Sequence, residues 1–194
     1  VGSTFKPFVY ANSMRSGMHP CEEIPNVITC VDAGVDQEPW CPENSGGEYG
    51  DMVSLSHGLA NSMNTVTAYQ IKRFGTESVV KLAHKMGVVN DIPNVPSIGL
   101  GTVELTVKEM CSSLSTFANQ GVYIEPIFIT HIEDKNGNII YESDQITRQA
   151  IDPKTAYLTL NMMKKVVQEG TSIRLGFSRP YGGIDFPVAG KTGT

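Results

Sequence analysis

The chain has 194 residues, of which 40% are hydrophobic and 18% charged, and its formal net charge is -5. This length and balance are those of a globular domain with a buried core, and a weakly acidic chain lacks the basic footprint of a nucleic-acid-binding protein. The longer apolar stretches are short and interrupted, so we expect no segment of this sequence to span a bilayer.

The front of the chain predicts a helix followed by a long loop. Residues 4–14 have helical character, and Pro7 must lie in the first turn, because only there does its missing N–H remove no hydrogen bond. Residues 15–50 contain four prolines and a Gly-Gly pair, which is typical of an irregular excursion. A loop of this length inside a compact domain is usually functional or poorly ordered.

Three of the four cysteines, Cys21, Cys30 and Cys41, lie in that loop, and the fourth is Cys111. In an oxidising compartment two of the three could form a disulfide. Free thiols that act as small buried or surface residues are the alternative. The sequence contains no C-x-x-C pair and no H-E-x-x-H pattern, so we predict neither a metal site nor a cofactor.

The middle of the chain is predicted to be helical. Hydrophobic spacing indicates three helices before residue 90, over residues 53–60, 65–74 and 76–86. Gly75 and Gly87 are expected to end the second and third of these. Thr106 and Glu109 form a capping box, which predicts a further helix that runs to about Asn119.

A change of period after this helix predicts a β-hairpin. Asn136-Gly137 lies between the apolar runs 122–133 and 139–142, and this dipeptide is a strong hairpin signal because both turn positions need positive φ. Asp152-Pro153 then supplies a cap and a first-turn proline for a helix that Gly170 ends. Residues 171–184 are predicted to be a loop.

The first chemical motif is Ser3-Thr4-Phe5-Lys6. A hydroxyl and an amine three residues apart lie on one face of a helix. At the start of a helix, the unpaired N–H groups and the positive end of the dipole favour negative charge on the serine oxygen. A neutral lysine beside it could take the serine proton. Taken alone, the motif is more often a capping serine with a solvated lysine.

The second motif, Ser62-Met63-Asn64, lies between two predicted helices. Its hydroxyl could relay a proton to a leaving amine, and its amide could hold a substrate peptide with one donor and one acceptor. The alternative interpretation is a pair of helix-capping residues.

The third motif, Lys191-Thr192-Gly193-Thr194, lies in a final strand predicted to begin near Phe186. The lysine and the hydroxyls could bind a terminal carboxylate, and a glycine lets another backbone approach closely. The N–H of Thr194 could form half of an oxyanion hole. The alternative is a polar loop without a function.

The three motifs together, in this order, are characteristic of β-lactamases and penicillin-binding proteins. The residues around them extend the likeness, and nearly the whole chain resembles class A (bifunctional) penicillin-binding proteins, least so over residues 15–50. The segments that carry the resemblance are residues 2–8, 59–67, 99–106, 117–126 and 188–194.

The resemblance implies an α+β fold of the β-lactamase/transpeptidase type, in which an antiparallel sheet packs on helices. Residues 1–194 would be a mostly helical part of this transpeptidase domain, with a small β-hairpin and a single core-sheet strand at the C-terminus. The flanking strands expected before Ser3 and after Thr194 would be missing. We therefore expect the strand that carries Lys191 to be unpaired on both sides, and the chain by itself to be weakly active or inactive.

The resemblance also implies peptidoglycan cross-linking by a D,D-transpeptidase. Ser3 would attack the D-Ala-D-Ala carbonyl of a stem peptide, with Lys6 as its base. Ser62, with Lys191, would pass a proton to the departing D-Ala. The acyl-enzyme would be taken by an amine from a second stem peptide, and β-lactams would acylate the same serine.

The remaining motif residues would bind substrate. Asn64 would hold the stem peptide, and Thr192, Gly193 and Thr194 would bind its terminal carboxylate. The resemblance further implies a membrane-anchored parent protein with a glycosyltransferase domain, which would work at the extracytoplasmic, periplasmic face of the bacterial inner membrane.

Two other functions fit the same motifs. A D,D-carboxypeptidase differs mainly in that water, not an amine, reaches the acyl-enzyme. A non-catalytic module that senses β-lactams or cell-wall peptides would need no turnover. A class A β-lactamase is disfavoured because the chain has no E-x-x-L-N stretch, and a Ser–His–Asp hydrolase because it has no G-x-S-x-G motif.

Overall fold

The computed structural model describes residues 1–176 and 183–193. Within these ranges the chain forms six α-helices, three short 3-10 turns and six short strands. The helices are α1 (Lys6–Arg15), α2 (Leu55–Ala60), α3 (Asn64–Phe74), α4 (Glu77–Lys85), α5 (Val107–Ala118) and α6 (Pro153–Gln168). The 3-10 turns are Gly2–Phe5, Pro96–Leu100 and Ile173–Leu175. The strands are β1 (Glu23–Pro25), β2 (Met52–Ser54), β3 (Val122–Ile124), β4 (His131–Glu133), β5 (Ile139–Glu142) and β6 (Thr147–Gln149).

Helix α1 is the centre of the molecule. Every residue from Lys6 to Met14 is buried, and the helix packs against α3, α4 and α6. Phe5 and Phe8 stack with ring centroids 4.9 Å apart, and Phe8 also contacts Phe117 of α5. A helix that is buried on all sides is held in place by its neighbours, so the position of the first turn of α1 is well defined.

Capping residues and glycines in the sequence predicted most helix ends correctly. The capping box of Thr106 and Glu109 is present at the start of α5, and the Asp152 side chain caps α6. Gly75 follows α3 with a φ of 74°, a conformation that costs glycine little. None of the helices in the described ranges has the length and apolar character needed to cross a membrane.

The strands form three separate two-stranded antiparallel ribbons: β1 with β2, β3 with β6 and β4 with β5. The predicted hairpin is confirmed as β4–β5, but the run 122–133 is not one strand. It breaks around Glu125-Pro126, where proline supplies no N–H to a ladder, and β3 pairs with β6 instead.

The turn of the hairpin also differs from the prediction. A positive φ occurs at Gly137 and not at Asn136. The carboxylate of Asp134 accepts hydrogen bonds from the N–H groups of Asn136 and Asn138, both within 2.9 Å. The turn is therefore held by an aspartate side chain, which removes the need for two left-handed residues.

The long front loop is more ordered than its composition suggests. Strands β1 and β2 close its base, and a disulfide joins Cys30 to Cys41. Val31 and Trp40 form an isolated antiparallel bridge beside that disulfide. Of the three cysteines in the loop, Cys30 and Cys41 are therefore the pair, and Cys21 and Cys111 are exposed thiols.

The α+β class is confirmed, with one departure at the C-terminal end. Residues 185–193 form no regular strand, because no other strand of the described residues runs beside them. Ile184 makes an isolated parallel bridge to Gly176, and Gly190 donates a hydrogen bond to Met163 of α6. The segment that carries Lys191 is therefore held by the helices rather than by a sheet.

Candidate active site

The first motif lies where a 3-10 turn becomes an α-helix. Ser3 is in the turn Gly2–Phe5, α1 begins at Lys6, and Pro7 is in the first turn of α1, as predicted. This arrangement puts the half-buried Ser3 at the N-terminal end of the helix, while the Lys6 side chain is fully buried.

The amine of Lys6 makes three hydrogen bonds to the second motif. Its Nζ donates to the carbonyl oxygen of Ser62 at 2.6 Å, to Asn64 Oδ1 at 2.7 Å and to Ser62 Oγ at 3.2 Å. An ammonium group has three N–H donors, so these acceptors use all of them. Among the described residues, Lys6 Nζ makes no hydrogen bond to Ser3.

Ser62 lies in the short connection between α2 and α3, and Asn64 is the first residue of α3. Ser62 has a φ of 57°, in the left-handed region that residues other than glycine rarely adopt and that often marks a functional site. Met63 is the N-cap of α3, and no side chain of that connection caps the helix. The alternative interpretation of a helix-capping Ser/Asn pair is therefore wrong.

The third motif completes the cluster. Lys191 Nζ donates to Ser62 Oγ at 2.8 Å, so Ser62 Oγ accepts from both lysines. The hydroxyls of Thr192 and Thr171 lie 2.7 Å apart. A Cβ placed on Gly193 would lie 2.9 Å from Thr4 Cγ2, so a glycine here permits the close approach of the third motif to the first. Thr194, and with it the expected oxyanion-hole N–H, lies outside the described residues.

The two lysines have depressed pKa values. Burial, and after it the charge of Lys191, lowers the pKa of Lys6 from 10.5 to about 7. Burial lowers the pKa of Lys191 from 10.5 to about 8. Removal of water disfavours the charged form of an amine, and a second cation nearby adds repulsion. Near neutral pH, Lys6 therefore exists partly as a neutral amine that can accept a proton.

One residue or more of each motif lines a single cleft of about 690 Å³, a volume within the usual range of ligand sites. Ser3, Ser62, Asn64 and Thr192 are on its wall, together with several residues that the sequence did not indicate. The added lining residues include Asn44, Ser45, Gly46, Glu48, His57, Asn61 and Thr171. The length of the front loop was the one sequence signal for the first four of them.

Thr171 reaches the cleft because α6 ends against α2. A Cβ on Gly170 would lie 2.1 Å from the carbonyl oxygen of Ala60, so a side chain at this position would push the two helices apart. The N–H of Thr171 donates to the same oxygen at 3.0 Å. The sequence marked Gly170 as a helix stop but gave no sign of this long-range contact.

Comparisons with known proteins identify the family. The family model described as the penicillin binding protein transpeptidase domain matches residues 1–194. The chain is 32% identical to penicillin-binding protein 1A of Aquifex aeolicus, with 100% of this chain and 26% of the relative aligned. It is also 32% identical to penicillin-binding protein 1A of Neisseria gonorrhoeae, over 100% of this chain and 24% of the relative.

Solved structures show the same fold. The crystal structure of penicillin-binding protein 1A from Haemophilus influenzae matches with a TM-score of 0.89 at 22% identity, over 100% of this chain and 34% of that one. Penicillin-binding protein A from M. tuberculosis, as an imipenem acyl-enzyme complex, matches with a TM-score of 0.79 at 21% identity, over 100% of this chain and 48% of that one.

The chain spans about a quarter of the length of these curated relatives. The family model nevertheless covers all of it, and the resemblance inferred from the motifs is confirmed. The chain belongs to the penicillin-binding protein transpeptidase domain family.

Proposed function

We propose that this chain carries the acylation centre of a peptidoglycan D,D-transpeptidase. The observation that supports this most is the hydrogen-bonded row Lys6–Ser62–Lys191, whose central residue, Ser62, lines the same cleft as Ser3. Membership of the transpeptidase family supports the same function.

In the proposed reaction, Ser3 Oγ attacks the carbonyl carbon of the penultimate residue of a stem peptide that ends in D-Ala-D-Ala. The serine proton moves to the neutral amine of Lys6. A neutral amine keeps two N–H groups for its two short contacts, to Ser62 O and Asn64 Oδ1, and has one lone pair free. The pKa of about 7 makes this form available at neutral pH.

Collapse of the tetrahedral intermediate breaks the C–N bond to the terminal D-Ala. The leaving amine takes a proton from the Ser62 hydroxyl, and an ammonium group of Lys6 or Lys191 restores it, since both contact that oxygen. The product is an ester on Ser3. An amine from a second stem peptide then attacks the ester and releases Ser3, whereas attack by water would give the carboxypeptidase reaction.

We also propose that Asn64 and the third motif bind the stem peptide. The Asn64 amide donates to the carbonyl of Glu43 at 2.7 Å and accepts from Lys6. One N–H and one lone pair of this amide remain for a peptide backbone. Thr192, Gly193 and Thr194 are proposed to receive the terminal carboxylate, with the charge of Lys191 nearby.

A β-lactam would acylate Ser3 in the same way, by opening its ring amide. The leaving amine then stays attached to the acyl group, and the ester persists. Penicillin-binding protein A from M. tuberculosis, which has a similar fold, was solved as an imipenem acyl-enzyme complex, and this supports the proposal by analogy.

We propose that residues 1–194 are part of a larger transpeptidase domain in a membrane-anchored protein with a glycosyltransferase domain. The chain's share of about a quarter of its relatives supports this. The Cys30–Cys41 disulfide supports an oxidising, extracytoplasmic location at the bacterial inner membrane.

Release of D-alanine tests the proposed reaction. The natural protein that contains this sequence is incubated with a stem pentapeptide and an acceptor amine, and free D-alanine and the cross-linked amide product are quantified. Ser3→Ala is expected to lose at least about a thousand-fold of the activity, as is usual for a removed nucleophile, whereas Ser115→Ala, at an exposed position of α5, is the matched control. Equal activity of Ser3→Ala and wild type would contradict the proposal, and free D-alanine without any cross-link would identify a carboxypeptidase.

A further inference from the structure

The start of α3 has an unusual cap. Its N-cap residue, Met63, cannot accept hydrogen bonds from the first N–H groups, and no side-chain cap comes from it. Instead Asn44 Oδ1, twenty residues upstream, accepts from the N–H of Asn64 at 2.8 Å and from the N–H of Thr65 at 3.2 Å. The front loop therefore supplies the cap that the local sequence of α3 lacks.

The Asn44 side chain is itself fixed. Its Nδ2 donates to Asn26 Oδ1 at 2.8 Å and to the carbonyl of Glu48 at 3.1 Å. Asn26 is buried and also accepts from Thr65 Oγ1 at 2.8 Å. Both protons of the Asn44 amide are thus engaged, and its oxygen serves two backbone donors. Although Asn44 lines the cleft, it has no free donor with which to bind a substrate.

The same loop orients the Asn64 side chain. The carbonyl of Glu43, next to Asn44, accepts from Asn64 Nδ2 at 2.7 Å. This contact turns Asn64 Oδ1 toward Lys6 Nζ, which donates to it at 2.7 Å. The reversed amide would present N–H groups to the lysine and could not accept from it. Two consecutive loop residues therefore set both the backbone and the amide of the residue that holds the lysine.

We infer that Asn44 is a positioning residue for the Lys6 amine, acting through the first turn of α3. This inference rests on the proposed function, in which Lys6 is the base for Ser3. Loss of the cap would free Asn64 to shift or turn, and the Lys6 amine would lose an acceptor and gain contact with water. A displacement of about 1 Å in such a site can cost on the order of a hundred-fold in rate.

The test compares Asn44→Ala, Asn44→Asp and wild type in the natural protein. The second-order rate of acylation by a fluorescent penicillin is measured against pH. The titration of Lys6 is followed separately by the NMR shift of ¹³Cε in labelled lysine, assigned with Lys6→Arg. The aspartate retains an oxygen that can cap α3, whereas alanine has none. Asn161→Ala, on α6 outside the cleft, is the matched control.

We expect Asn44→Ala to lower the acylation rate about 10- to 100-fold and to move the Lys6 titration midpoint toward higher pH. Asn44→Asp is expected to acylate within about three-fold of wild type at its optimum pH, because the cap is kept. If Asn44→Ala does not fold, Asn44→Asp provides the test. Near-wild-type acylation by Asn44→Asp supports the inference, and a loss as complete as that of Ser3→Ala overturns it.

Two results would overturn the inference directly. One is an Asn44→Ala variant with the rate and the Lys6 midpoint of wild type. The other is an equal loss in both variants with no change in the Lys6 titration, which would indicate loop packing alone. An absence of acylation in the wild type would instead refute the proposed function, and the NMR titration would still show whether Asn44 controls the lysine.

Discussion

At the scale of single residues, the Ser62 hydroxyl is the shared partner of two amines. Lys6 and Lys191 both donate to its oxygen, at 3.2 and 2.8 Å. Because a hydroxyl has two lone pairs and one proton, these contacts occupy the acceptor sites and leave the proton free to be donated. Ser62, whose backbone is left-handed, can therefore donate its hydroxyl proton in the cleft while the amines of Lys6 and Lys191 remain hydrogen-bonded to its oxygen.

The charge of Lys191 gives a testable effect on pH dependence. Acylation of Ser3 is expected to rise as pH increases through about 7, as Lys6 loses its proton. Burial is the main cause of that low pKa and the Lys191 charge is the second. Lys191→Ala removes the repulsion, so the midpoint of the acylation profile should move to higher pH while staying below 10.5.

The measurement is the rate of penicillin acylation between pH 5 and 10, fitted for its midpoint in each variant. Lys72→Ala, at an exposed position of α3, is the control and should keep the wild-type midpoint. An unchanged or lower midpoint in Lys191→Ala would show that the two amines do not interact as described.

At the scale of elements, side chains stabilise loops by contacts with residues that are distant in the sequence. The Cys30–Cys41 disulfide closes part of the front loop over a separation of 11 residues, a constraint worth on the order of 3 kcal/mol in the chain-entropy account. The Glu109 side chain holds the segment after α4 in place through hydrogen bonds. Its carboxylate accepts from the N–H groups of Val89, Asn90 and Thr106 and from the Thr106 hydroxyl, all within 2.8 Å.

Glu109 should make stability depend on pH in the acid range. Burial alone would raise the pKa of its carboxyl, but the hydrogen bonds from Asn90, Thr106 and Val89 outweigh it and lower the pKa from 4.5 to about 2. The unfolded chain therefore binds this proton first as pH falls. The stabilisation is complete above about 4.5 and is lost as pH falls toward 2, by about 3 kcal/mol in total.

Urea unfolding at several pH values between 2 and 6 measures this loss. Glu109→Gln should be less stable at pH 6 and should lack that part of the pH dependence. Glu104→Gln, an exposed carboxylate of the same segment, should retain it. The same acid slope in Glu109→Gln as in wild type would assign the effect to other groups.

At the scale of the whole molecule, the sequence predicted what local rules decide. Helix ends at Gly75 and Thr106, the hairpin position and the three motifs follow from neighbouring residues, so spacing was enough to find them. The contacts between distant segments could not be found in this way. Asn44 caps α3 from twenty residues away, and Gly170 packs on Ala60; neither pairing leaves a periodic pattern in the sequence.

In the terminal segment, the local pattern predicted an element that the structure does not contain. A strand was expected near Lys191, yet a strand needs a neighbour, and among the described residues none is available. Hydrogen bonds from Lys191 to Ser62 and from Gly190 to Met163 hold it instead. The position of the third motif is therefore set by the same cluster that it completes.

The proposed reaction requires that Ser3 is the residue that becomes acylated. Its most direct test is mass spectrometry of the natural protein after incubation with benzylpenicillin, with peptide mapping to locate the adduct. We predict a single penicilloyl adduct on the peptide that contains Ser3, absent from Ser3→Ala. An adduct on another residue, or an unmodified wild-type protein at saturating penicillin, would contradict this claim.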